Sequence, residues 1–187
     1  MKKSFLIYAL LAFLSFNNLQ AQDVYFTKTA KLDFDATPAN PVEKIEAVNN
    51  EGTSILNLIT GNIVFGALIQ NFRFEKALME EHFNENYMES SKFPKAFFTG
   101  DITNLKDVNF KKDGEYKVNV KGNLTMHGVT KPISTDGVII IKGGKISSKA
   151  AFTLKLADYN VDRPSVVASK ISEIAKISVF AKYELKK

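Results

Sequence analysis

Apolar and polar residues alternate along most of this chain, and the period is two. Between positions 24 and 36 the even residues Val24, Phe26, Ala30, Leu32 and Phe34 are apolar, with Lys28 the exception, while Thr27, Thr29, Lys31, Asp33 and Asp35 face the other way. In EYKVNVKGNLTM the apolar face is Tyr116, Val118, Val120, Leu124 and Met126; Glu115, Lys117, Asn119, Lys121, Asn123 and Thr125 oppose it. Ile146, Phe152, Leu154 and Leu156 repeat the pattern, as do Ala175, Ile177, Val179, Ala181, Tyr183 and Leu185. Successive side chains of a strand point to opposite faces, so each stretch predicts a strand with one face turned to a core. Turn signals separate the runs: TPANP near Pro38, NNEG ending at Gly52, KKDG ending at Gly114, TDG ending at Gly137 and KGGK around Gly143 and Gly144.

One stretch breaks the period. In FEKALMEEHFNENYMESSKFP, residues 74–94, Leu78 with His82 and Met79 with Phe83 fall four apart, the spacing of one helix face. A short helix followed by a loop reaching Pro94 is predicted there. The fold class is therefore all-β: an antiparallel barrel of about eight strands with a short helical insertion. Closure removes the unpaired edges that an open sheet of this length would present.

The first residues, MKKSFLIYALLAFLSFNNLQAQ, read differently. Two lysines precede an apolar run from Phe5 to Phe16, and small and polar residues follow around Ala21. This is the pattern of a secretory signal, too short in its apolar part for a permanent span. Cleavage after Ala21 leaves one domain, residues 22–187, in the periplasm or outside the cell. The chain has no cysteine, so no disulfide staples it and no thiol near the cut can carry a lipid. Its formal net charge of +5 falls when Lys2 and Lys3 leave with the signal, and the remaining charges are scattered. Nothing in that distribution calls for nucleic acid as a partner.

Candidate chemistry is sparse. The chain has two histidines, His82 and His127. His82 lies among glutamates, and Glu85 three residues on shares its helix face, so a metal-dependent enzyme using His82 and Glu85 is one reading. A catalytic zinc site commonly takes more nitrogen ligands than this pair supplies. No G-x-S-x-G elbow accompanies either histidine. His127 precedes Gly128 at the end of a clean strand and is read as a turn histidine that hydrogen-bonds a neighbouring carbonyl, with no metal. The expectation is no catalytic residue, no metal and no cofactor.

The third constellation is aromatic. Of fifteen phenylalanines, Phe65, Phe72, Phe74, Phe83, Phe93, Phe97, Phe98 and Phe110 crowd between residues 65 and 110. Such clusters are usually packed cores. An eight-stranded barrel, however, is either filled by side chains or holds one small ligand. The candidate ligand-binding residues are Phe65, Phe72, Phe74, Leu78, Met79, Phe83, Tyr87, Met88, Phe93 and Phe98, with Arg73 and Lys76 beside the helix placed to meet an anionic head group.

GNLTMHGVTKPI, residues 122–133, resembles the G-x-L-T-x-H-G-V-T-[KR]-P signature of YceI-like domains. ALMEEHF followed by ESSKFPKAFFTGDI resembles the helix of that family and its K-[YF]-P-x-x-x-F strand entry. The resemblance implies a lipocalin-like antiparallel barrel, usually exported to the periplasm, that holds a polyisoprenoid or similar amphiphilic chain such as a fatty-acyl chain. It implies no catalysis. Two further readings stay open on pattern alone: a packed barrel scaffold acting through partners, and an eight-stranded outer-membrane barrel, since alternation does not say which face meets lipid.

Overall fold

The computed structural model describes residues 23–186, so the predicted signal and its cleavage after Ala21 lie outside the described residues. The elements in chain order are β1 (Val24–Asp35), β2 (Glu46–Asn57), β3 (Asn62–Leu68), β4 (Arg73–Phe74), α1 (Ala77–His82), β5 (Lys95–Ile102), β6 (Gly114–Met126), β7 (Val129–Lys142), β8 (Lys145–Lys155) and β9 (Ile174–Leu185). Neighbouring strands run β1-β9-β8-β7-β6-β5-β3-β2, and β2 pairs back to β1, so the sheet closes on itself. All pairings are antiparallel. The two-residue β4 continues the β3 seam along β2 after a tight turn at Ile69–Asn71.

Alternation sets the wall. In β6, Val118, Val120, Leu124 and Met126 are buried while Glu115, Lys117, Asn119, Lys121 and Asn123 are exposed. A membrane barrel carries its apolar band on the outside. This wall has the reverse polarity, with apolar residues inside and charged residues out.

Two hairpins are built on left-handed pairs. His127 and Gly128, with φ of 49° and 75°, join Met126 to its partner Val129, and Gly143 and Gly144, with φ of 56° and 72°, join Lys142 to Lys145. Positive φ at both central residues is the geometry whose twist matches flanking strands. A side chain at Gly128 would also meet the Phe93 ring at 2.7 Å.

Three sequence expectations are corrected by the strands. The face assigned to even residues in β1 changes sides at a bulge between Thr27 and Ala30: Thr27 and Ala30 are both buried, and Lys28 and Thr29 between them are both exposed. Lys28, the exception to the alternation, marks that bulge, where an extra residue shifts the register. NNEG is no turn, because β2 runs through it and Gly52 sits opposite Ala30 at the irregularity. TDG is no turn either: Gly137 lies within β7, paired with Val118 on one side and Ala150 on the other.

The insertion forms as one and a half turns of α-helix, Ala77–His82, followed by a wider π-type turn at Phe83–Tyr87. It lies across one end of the barrel. Beyond Gly137 and Ala150 the β7–β8 ladder stops, and Thr135 Oγ1 donates to the Ala151 carbonyl at 3.2 Å across the widening seam. The turn Leu156–Tyr159, with Leu156 and Tyr159 buried, packs against both strands there.

Candidate functional site

The interior of the barrel is not filled. A cavity of about 490 Å³ runs inside the wall, lined by Ile63, Phe65, Ala67, Phe98, Val118, Val120, Leu124, Ile139, Phe152, Leu154 and Ile177 among others. Small-molecule sites commonly have volumes of roughly 300–1,000 Å³ and are mostly apolar. Below it, Leu56, Ile141, Ile146 and Tyr183 are almost fully buried and close the far end. At the other end the lining passes to connections: Ala36, Glu43 and Ile45 after β1, Leu78, Met79, His82, Phe83, Tyr87 and Met88 of the insertion, and Val161, Val167, Lys170 and Ile171 before β9.

Two glycines shape the wall. Gly100 and Gly122 face one another across β5 and β6, and a Cβ on either would come within 2.6 Å of Phe98 Cζ. Their bare backbone lets the Phe98 ring lie against the wall instead of crossing the cavity. This gives the first glycine of the GNLTMHG motif a physical reason.

The mouth is aromatic. Phe83 stands with its ring centroid 5.0 Å from Phe74, 5.5 Å from Phe34 and 5.7 Å from Phe72, all tilted. Tilted rings at these separations attract through edge-to-face contacts. The insertion is thereby held to the strand ends around it.

Of the ten residues expected to bind ligand, Phe65, Phe72, Phe74, Leu78, Met79, Phe83, Tyr87, Met88 and Phe98 line the cavity. Phe93 does not. Its ring packs edge-on against His127 at 4.6 Å and against Gly128, so it supports the hairpin from behind the cavity wall. The reading also missed Phe34, Phe152 and Ile177, inward positions of strands whose alternation was visible, and Val161, Val167 and Ile171, which carry no periodic signal.

The cations expected to meet an anionic head group are already matched. Arg73 Nη1 donates to Glu80 Oε1 and to the Gln70 carbonyl, each at 2.8 Å, and Arg73 is absent from the lining. Lys76 lines the mouth but donates to Glu43, whose carboxylate holds the ammonium above its ordinary range. His82 also lines the mouth; among the described residues no group of three or more His, Cys, Asp or Glu side chains is gathered for a metal, and Glu85 does not line the cavity.

His127 is a buried clamp behind the mouth. Its Nδ1 donates to the Tyr159 carbonyl at 3.0 Å, and its Nε2 meets Glu89 Oε2 at 2.9 Å. The hydrogen bond with His127 is the main cause that lowers the Glu89 carboxyl below its usual range, with Lys92 assisting. Three segments meet here: the hairpin, the end of the insertion and the turn after β8. The non-glycine residues with positive φ among the described residues are Glu89, His127 and Asn160, all in this junction or next to it.

The model of the YceI-like domain matches residues 18–183, nearly the whole chain. The chain belongs to the YceI-like family. Within it, a UPF0312 protein of Pectobacterium carotovorum is 33% identical over 94 residues, covering 47% of this chain and 45% of that protein. Protein YceI of Escherichia coli O157:H7 is 32% identical over 82 residues, covering 41% and 39%. The matches thus span less than half the length of these curated relatives. Among solved structures, a polyisoprenoid binding domain from Saccharophagus degradans, implicated in plant cell wall breakdown, superposes with a TM-score of 0.75 at 14% identity, covering 88% of this chain and 99% of that one. BcnA of Burkholderia cenocepacia superposes with a TM-score of 0.67 at 13% identity, covering 83% and 96%. At these identities the likeness shows the YceI-like fold.

Proposed function

We propose that this chain is an exported, non-enzymatic carrier that holds a polyisoprenoid or other long-chain amphiphile inside its barrel. The observation that carries the reading is the cavity itself, about 490 Å³ with apolar walls, in a barrel small enough to have been filled by side chains. A hydrocarbon chain makes few directional contacts and takes its binding energy from burial. At roughly 0.8 kcal/mol per methylene, about a dozen carbons inside the wall gain several kcal/mol after the costs of immobilisation. The flexible Met79 and Met88 at the mouth suit an occupant of variable shape. The polyisoprenoid binding described for the Saccharophagus domain supports the same class of ligand.

Export rests on the N-terminal pattern of lysines, apolar run and small residues. A non-enzymatic role is supported by His127, both of whose ring nitrogens are engaged by Tyr159 and Glu89. The packed-scaffold reading leaves the cavity without a purpose.

The test is chemical. Protein purified from the periplasmic or extracellular fraction is examined by native mass spectrometry and organic extraction, with N-terminal sequencing. The expected result is an amphiphilic adduct on a chain that starts at Gln22. An apo mass alone, or an intact Met1 in the exported fraction, would count against the carrier or its export respectively.

A further inference from the structure

At the floor of the cavity a side-chain hydroxyl stands deep inside, and the protons of its hydrogen-bond chain can be counted. Ser148, on β8, lines the cavity and is 7% exposed. Its Oγ lies 3.1 Å from the Tyr183 hydroxyl, which lies 3.0 Å from Ser54 Oγ, which donates to the Val64 carbonyl at 2.9 Å. Three contacts link four oxygens, and three hydroxyl protons are available to fill them.

The order of donation is then fixed. A carbonyl only accepts, so the contact with Val64 uses the Ser54 proton. The contact between Ser54 and Tyr183 must therefore use the Tyr183 proton, and the contact between Tyr183 and Ser148 the proton of Ser148. Burial keeps the Tyr183 phenol in its protonated form, pushing it up against the opposing effect of its two serine partners, so the count of three holds. With its proton directed at Tyr183, Ser148 offers only lone pairs to the cavity.

We infer that the floor is a hydrogen-bond acceptor site that seats the hydroxyl end of an amphiphile inserted head-first, selecting an alcohol over a ketone or a bare hydrocarbon end. The inference rests on the carrier reading and adds the polarity and orientation of the ligand. Beside the mouth, Arg73 is held by Glu80 and Lys76 by Glu43, so neither of these two cations competes with the deep serine for the hydroxyl end. A ketone at the same place would set two acceptors against each other, and an unmatched buried acceptor is unfavourable.

Dodecan-2-ol and dodecan-2-one share one heavy-atom skeleton and differ in whether the oxygen can donate. The purified chain, stripped of bound lipid, is equilibrated with an equimolar mixture, and the retained pair is extracted and quantified by gas chromatography. The alcohol is expected to be favoured about 5- to 10-fold, the range of one net hydrogen bond. Ser148→Ala should bring the ratio close to one. Tyr183→Phe removes the acceptor that holds the Ser148 proton, frees that proton to point into the cavity, and should raise ketone retention until the preference shrinks or reverses. A wild-type ratio near one, or a ratio unchanged in both variants, overturns the inference while leaving a carrier. Folded protein that retains neither probe overturns the carrier reading and the inference together.

Discussion

The two ends of the barrel are closed by different means. At the floor, Leu56, Ile141, Ile146 and Tyr183 come from four long strands and are at most 5% exposed. Each sits in a ladder, so its backbone cannot shift without breaking sheet hydrogen bonds. At the mouth the cover is made of connections: residues 36–45, the insertion, and the segment before β9. Val42, Leu78 and Val166 there remain exposed. Side chains and isolated backbone contacts, not ladders, hold these connections: the rings around Phe83, the His127 clamp, Arg73 with Glu80, Lys76 with Glu43, Ser172 N donating to the Ala36 carbonyl, and Arg163 donating to the carbonyls of Ala168 and Ile171 at 3.0 and 2.8 Å. Regions with few buried contacts open at lower free energy than the core strands. The difference places stability at one end and ligand access at the other.

The comparison breaks most directly at the floor. Leu56→Ala should lower unfolding free energy by about 2–5 kcal/mol, the range for deleting a fully buried leucine, as read by urea denaturation. A loss under about 1 kcal/mol would mean that the floor relaxes as freely as the mouth and that the two ends do not differ as argued.

At the mouth, Phe83→Asp places a carboxylate among Phe34, Phe72 and Phe74 and should weaken retention of an apolar chain roughly tenfold or more, since one buried aromatic contributes ~1.5–3 kcal/mol. The barrel itself should keep its β-sheet circular dichroism. Collapse of that signal would show that the insertion belongs to the structural core.

A smaller effect is expected at the clamp. His127→Ala removes the buried ring that joins the Tyr159 carbonyl to the half-exposed Glu89 and should lower stability by about 1–3 kcal/mol. Hydrogen exchange should rise in the insertion and in residues 156–161 before it rises in β2 or β9. Uniform acceleration across the barrel would mean that the clamp is part of the global unit.

How much of this was legible depended on which end carried it. The wall was legible in β6 and β9, because one face is apolar and a slip of one residue would expose it. It was misread in β1, β2 and β7 where backbone geometry overrides alternation: Lys28 marks a bulge, and Gly52 and Gly137 lie inside paired strands. Phe93 shows the same limit for the site. Its neighbours in sequence line the cavity, but the chain turns at Pro94 into β5 and sends its ring to His127. Val161, Val167 and Ile171 reach the mouth in a segment tied by Arg163 to the carbonyls of Ala168 and Ile171 and by Ser172 N to the Ala36 carbonyl, contacts that no hydrophobic period records. The hydroxyl chain at the floor joins β2, β8 and β9, distant in sequence, and appears only once the barrel is closed.

The smallest effect, and the sharpest test of the mouth, is its dependence on pH. Glu89 accepts from His127 and faces Lys92 at 3.5 Å, and its carboxyl is held below the ordinary range chiefly by the His127 hydrogen bond. A carboxyl lowered on folding stabilises the native state above its unfolded value, and this contribution disappears as pH falls through the lower folded value. The stability difference between wild type and Glu89→Gln should therefore shrink as pH falls below about 4, with the unfolded glutamate at about 4.3. In a His127→Ala background the same substitution should show a much weaker pH dependence, because the main cause of the lowering is gone. Added salt should reduce only the remainder due to Lys92, which is exposed and screened. No comparable acid-sensitive step is expected from the floor, whose polar groups are hydroxyls that stay neutral through this range. If acid weakens wild type and the Glu89→Gln variant equally, the clamp does not supply the pH sensitivity of the mouth.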